Sequence, residues 1–131
     1  MGKKKKYEIE VNSSLGGQDT FSMSYHSLIT SEQFQRMKPA VKLMYYYCRN
    51  QATSREGRAC LYKHAEEEGK KYKNDSFVFP AAHMEKYGMQ RQNGNKYLKE
   101  LERNGFIEKV ENNKHRRKVN VYRFSPSWKE L

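Results

Sequence analysis

Arg91, Gln92, Asn93, Asn95 and Lys96 fall within six consecutive positions, and Lys99 and Arg103 continue the series at helical spacing. Arginine offers a fork of donors, while Asn and Gln each offer a donor beside an acceptor. Such side chains read guanine and adenine edges through paired hydrogen bonds. Lys99 and Arg103 suit phosphate oxygens. A second cationic set, Lys114, His115, Arg116, Arg117 and Lys118, follows in one short stretch. Adjacent arginines favour forked contacts to phosphate. Both sets suit the gripping of a polyanion, and neither contains a pair suited to making or breaking bonds.

Other chemistry finds no constellation. The four histidines, at 26, 64, 83 and 115, are scattered, and no His-hydrophobe-His triplet stands near a tyrosine. No glycine loop of the Lys-Ser/Thr type is present to cradle phosphates. Glu66, Glu67 and Glu68 are adjacent, so on a helix they cannot face one centre; a charge run is the simpler reading. Cys48, Cys60 and His64 match no compact zinc spacing. Two cysteines do not make a disulfide framework, and a reduced cytoplasmic setting fits them. No catalysis, no metal and no cofactor is expected.

The base-reading set needs a helix to present it. Residues 90–104 supply one, with Gly94, Leu98 and Leu101 as the buried stripe. At about 100° per residue, the opposite face carries Gln92, Lys96, Lys99 and Arg103. Asn93 and Asn95 lie on the flanks, with Arg91 beside the buried edge. Gly94 costs about 1 kcal/mol of helix propensity, which close approach of a second helix would justify. That partner is a short helix opened by Pro80, with Ala81, Met84 and Tyr87 facing inward and Gly88 as the turn. Gly105 stops the long helix. Phe106–Val110 and Val119–Phe124 then read as strands flanking the cationic loop, and Trp128 can fold back onto the core.

Upstream, Ala40, Leu43, Met44, Tyr47 and Cys48 make an apolar face on a helix over about 39–52, with Pro39 in its first turn. Tyr45 and Tyr46 lie off that stripe; they could stack on bases, form a dimer patch or be covered by the segment that follows. Residues 58–72 could form another helix, with Cys60, Leu61, His64 and Ala65 on one side. Its charged second half suggests a solvated, weakly packed insertion spanning about 53–76. Phe77–Phe79 is a short strand. Thr30 or Ser31 can cap a short helix running through Phe34 and Met37, and Phe21–Ile29 reads as extended. Residues 1–20 read as a flexible basic arm that includes Lys3–Lys6. Tyr7–Val11 alternates with period two and could pair as a strand. The expected organisation is this arm followed by one α+β domain over 21–131.

The totals agree with a polyanion partner. The 131 residues carry 26 Lys and Arg against 15 Asp and Glu, a net charge of +11. Self-repulsion on that scale is offset by an anionic partner, nucleic acid before an anionic membrane. The 36% hydrophobic content supports one modest core. No window approaches the ~18 apolar residues of a membrane span.

Several stretches also resemble known sequences. Phe77-Val78-Phe79-Pro80, Met84–Gly88, Tyr97-Leu98-Lys99-Glu100-Leu101, Asn104-Gly105-Phe106-Ile107-Glu108 and Asn120–Ser125 with Trp128 resemble the winged helix-turn-helix domains of plasmid and phage replication initiators and mobile-element regulators. Met37-Lys38-Pro39-Ala40 is similar to the opening of their first helix, so the resemblance covers about residues 30–128. It implies a mostly helical winged helix-turn-helix domain with a small antiparallel sheet forming the wing. It also implies sequence-specific binding of double-stranded DNA, as a transcription or replication regulator in the cytoplasm.

In such domains the N-terminal part of the second helix meets base edges and the wing meets phosphate or the minor groove. That assigns Arg91, Gln92, Asn93, Asn95 and Lys96 to bases and Lys99 and Arg103 to the backbone. Lys114, His115, Arg116, Arg117 and Lys118 become wing contacts. A homodimer is open. So is a protein partner through 53–76, as in an interaction module of a replication or conjugation complex. Single-stranded nucleic acid is a third option.

Overall fold

The computed structural model describes residues 26–130. The expected basic arm, its Lys3–Lys6 run and the Tyr7–Val11 strand lie outside them. The chain divides into two compact units, one ending at Arg36 and the other starting at Met37. In the first, residues 26–29 form a helical turn instead of the expected extended segment. Thr30 explains this locally, because its Oγ1 donates to the His26 carbonyl at 2.8 Å. Ser31 then caps α1 (Glu32–Gln35), accepting from the Phe34 amide at 3.1 Å. The helix ends before Met37.

The second unit is α+β, with a small three-stranded antiparallel sheet. Helix α2 (Pro39–Thr53) starts on Pro39, whose fixed φ and missing N–H suit a first turn. Its buried side chains are Val41, Met44, Tyr45, Cys48, Gln51 and Ala52. The expected stripe is therefore rotated, and Leu43 stands 47% exposed. Tyr45 causes the rotation. Its ring meets Phe106 at 6.0 Å and Phe124 at 5.6 Å, both edge-on, and burying it removes more apolar area than burying Leu43 would. A base-stacking or dimer role for Tyr45 is thereby excluded, since the ring is 1% exposed.

Helix α3 (Arg55–Glu68) follows at once. Ser54 ends α2 and caps α3, its hydroxyl accepting from the Gly57 amide at 3.1 Å. The two helices meet at Gly57, where a Cβ would lie 1.9 Å from the Gln51 carbonyl oxygen. Leu61 of α3 packs with Val78 and Val121, and Cys60, Tyr72 and Val119 close around them. The helix of the expected insertion thus contributes its inner face to the core, while Glu66, Glu67 and residues 69–71 are exposed, and it ends at Glu68, four residues before the expected end at 72. The sequence pattern was obscured because a histidine and a glutamate occupy inward positions of this helix.

The sheet has the order β1-β3-β2, with β1 Ser76–Val78, β2 Ile107–Glu111 and β3 Val121–Phe124. Phe77 pairs with Tyr122 and Ile107 with Phe124. An irregularity between Lys109 and Glu111 leaves Val110 43% exposed. Phe77 stacks on Phe124 at 5.0 Å, and Trp128 does fold back, stacking on Phe106 at 5.7 Å.

Between β1 and β2 lie α4 (Ala81–Lys86) and α5 (Arg91–Arg103). Gly94, Leu98 and Leu101 form the buried stripe of α5. At Gly94 a Cβ would stand 2.4 Å from the Met84 sulfur. The glycine lets α4 and α5 approach closely, which accounts for its low-propensity position. Gly88 and Gly105 turn the chain after each helix.

Candidate nucleic-acid interface

The α5 stripe fixes which side chains can meet a partner. With Gly94, Leu98 and Leu101 inward, Arg91, Gln92, Asn93, Asn95, Lys96, Lys99 and Arg103 are all exposed. Gln92, Asn95, Lys96, Lys99, Glu100 and Arg103 line one shallow groove of about 330 Å³. All but one of the groove residues come from the expected set. Glu100 was not expected there. It takes up the Arg103 guanidinium at 2.5 Å, so Arg103 is partly neutralised within its own helix. No acidic residue stands in the first turn of α5, which keeps that end favourable to anions.

The hairpin loop is more ordered than a stretch without apolar residues suggests. Lys114–Arg116 form a 3₁₀ turn, and Arg117 follows at φ 57°, the left-handed region. Asn113 is the strut beneath it. Its side-chain nitrogen donates to the Val119 carbonyl and to Glu111 Oε1, both at 2.8 Å, and its amide donates to Asn120 Oδ1 at 2.6 Å. This Asn is 3% exposed.

Glu111, at the end of β2, gathers donors from three segments. Lys70 Nζ lies 2.6 Å from its Oε2 and the Tyr72 hydroxyl 2.7 Å, while His64 Nε2 is 3.2 Å from Oε1. Burial pushes the Glu111 carboxyl up. The hydrogen bonds from Lys70, Asn113, Tyr72 and His64 outweigh it and hold the group well below the usual carboxylate range. Burial, and then the bond to Glu111, push the Tyr72 phenol well above its ordinary value.

Comparison with known protein families, curated proteins and solved structures finds no match to this chain.

The five expected loop residues do not behave alike. Arg116 and Lys118 are paired with Glu68 at the C-terminal end of α3, at 2.8 Å and 3.3 Å. Lys114, His115 and Arg117 are exposed, with no ion pair among the described residues. The Arg116 hydrogen bond leads in holding the Glu68 carboxyl below its ordinary value, burial opposes it and Lys118 adds to it.

Glu68 is the loop's ion-pair partner that reading the acidic run as surface charge missed. A signal was present, because Gly57, Leu61, His64 and Glu68 fall at i, i+4, i+7 and i+11, one helical stripe. Glu66 and Glu67 do point outward.

Cys48 is fully buried, and burial pushes its thiol up, the opposite of what a reactive or metal-binding cysteine needs. Among the described residues no three His, Cys, Asp or Glu side chains converge on a possible metal. No helix among them is long and apolar enough to cross a membrane.

Proposed function

We propose that this chain binds double-stranded DNA through a winged helix-turn-helix unit and acts as a transcription or replication regulator of a bacterial or mobile-element system. One observation carries the reading. Helix α5 is anchored by Gly94, Leu98 and Leu101 and presents a polar, mainly cationic face, in which Glu100 is the one acidic residue lining the groove. Helix α4 closes against it at Gly94, and a hairpin with a cationic loop follows. The order is α2, α3, β1, α4, α5, β2, β3, with β3 between the other strands; with α3 taken as an addition between α2 and β1, it supports the same assignment, with β2 and β3 as the wing. Arg91, Gln92, Asn93, Asn95 and Lys96 then meet base edges, Lys99 and Arg103 the backbone, and the loop a flanking groove.

A protein-interaction module is the second reading. It draws on Leu43 and Tyr46, which stand 47% and 39% exposed one helical turn apart on α2. Selection of bound duplexes from a random pool at near-physiological salt separates the two. An enriched motif supports the DNA regulator. Recovery of no motif, with binding only at very low salt, favours the interaction module.

A further inference from the structure

We infer that Glu68 occupies, in the free protein, the place that a duplex backbone phosphate takes when the hairpin loop engages DNA. The inference rests on the DNA-binding reading above and adds an internal competitor to it.

The geometry is that of a fork. Arg116 Nη1 lies 2.8 Å from Glu68 Oε1, Arg116 Nη2 lies 3.0 Å from Oε2, and Lys118 Nζ stands 3.3 Å from that second oxygen. Two parallel guanidinium donors on two oxygens of one anion is also the way arginine holds phosphate. The carboxylate lies inside and the cations outside: the Glu68 side chain is 8% exposed, Arg116 49% and Lys118 37%. An incoming anion therefore meets the cations before it meets the carboxylate. One carboxylate also serves two cations, so each is incompletely compensated, and a phosphate brings further acceptor oxygens to them.

The exchange does not dissolve the loop. Its base is held by bonds that leave Glu68 out: Asn113 to Val119 and Asn120, and Glu111 to Lys70 and Tyr72. The Glu68 fork can open while the hairpin keeps its course. The competitor raises the threshold for weak contact with arbitrary polyanions, because binding through Arg116 and Lys118 must first displace it.

The test compares wild type, Glu68→Gln, Arg116→Ala/Lys118→Ala and the triple variant on one duplex across a range of KCl concentrations. Gln keeps the shape and removes the charge, and thermal melts confirm that each variant is folded. Glu68→Gln is expected to bind about 3- to 10-fold more tightly, with a log–log salt slope steeper by about 0.9. In the background lacking Arg116 and Lys118 the same substitution is expected to give less than about half of that gain in log affinity, as the coupling of groups in contact requires. Equal or weaker binding by Glu68→Gln overturns the inference, as does full tightening in the double-Ala background, which would report net charge alone. If wild type and every variant lack salt-dependent duplex binding, the DNA reading itself is wrong and the inference goes with it. A wild type that binds normally while Glu68→Gln gains nothing removes the competitor alone.

Discussion

The Arg116 guanidinium closes on the Glu68 carboxylate at 2.8 Å and 3.0 Å across 48 residues of chain. The contact ties the tip of the β2–β3 hairpin to the end of α3. It makes a helix that looks dispensable in sequence into the counterweight of the loop's charge. It also sorts the five loop residues. Arg116 and Lys118 enter any encounter already engaged, while Lys114, His115 and Arg117 do not. The uncompensated positive charge of the loop is therefore concentrated at its exposed tip.

Arg117 gives the cleanest probe of that tip, because it holds φ 57° without being glycine. A left-handed non-glycine residue costs about 1 kcal/mol or somewhat more, and glycine returns about 0.5–1 kcal/mol of that as extra unfolded-chain freedom. Arg117→Gly should therefore stay within about 0.5 kcal/mol of wild type in urea unfolding. Duplex affinity should fall about 3- to 10-fold for every sequence, with a salt slope shallower by about 0.9. Unchanged affinity would take Arg117 out of the interface.

Gly57→Ala tests whether α3 belongs to the core. The new methyl would stand 1.9 Å from a backbone oxygen, that of Gln51, which cannot rotate away as a side chain can. Relief requires α2 and α3 to separate, and Leu61 would then lose its packing on Val78 and Val121. Destabilisation of more than about 2 kcal/mol is expected, in the range of overpacked sites, and thermal or urea unfolding reads it. A neutral outcome would restore the weakly packed insertion expected from sequence.

Glu111 predicts the direction of acid sensitivity. Folding lowers its carboxyl pKa, so its stabilisation is present above the unfolded value, near 4.3, and is lost as pH falls toward the folded value. Glu111→Gln should cost about 2 kcal/mol at pH 7, as expected for hydrogen bonds to a charged group. The gap between variant and wild type should narrow in urea melts at pH 3. A gap of the same width at both pH values would mean that packing, and not charge, supplies the difference.

What the sequence disclosed and withheld follows physical lines. The stripe Gly94, Leu98, Leu101 was legible because apolar residues at helical spacing admit few other readings, and it placed the exposed face of α5 correctly. The hairpin was legible from two β-rich runs around a polar loop. The facing of α2 was not, because Leu43 and Tyr45 compete for burial and the aromatic partners that decide, Phe106 and Phe124, lie more than 60 residues further along the chain. The carboxylate pairs were hidden for the same reason. Glu68 and Glu111 take their meaning from residues brought to them by tertiary packing: helical spacing puts Glu68 on the inner stripe of α3 but does not say that Arg116 and Lys118 meet it there.

The exposed face of α5 predicts a split between specificity and strength. Asn95 and Lys99 line the same groove one turn apart, Asn95 nearer the start of the helix. In the proposed docking the early turns reach base edges, where Asn can pair with adenine, and the later turns run beside phosphate. Asn95→Ala should relax the preference at one base position, by about 1–3 kcal/mol against the wrong base, and leave the salt slope unchanged. Lys99→Ala should weaken all sequences alike and make the slope shallower by about 0.9, from a wild-type value near −5 if about six phosphates are neutralised. Binding assays on a small panel of single-base variants, each at several salt concentrations, read both quantities. The same response from both substitutions would mean that this face meets only the backbone, and the claim of sequence-specific readout by α5 would have to be withdrawn.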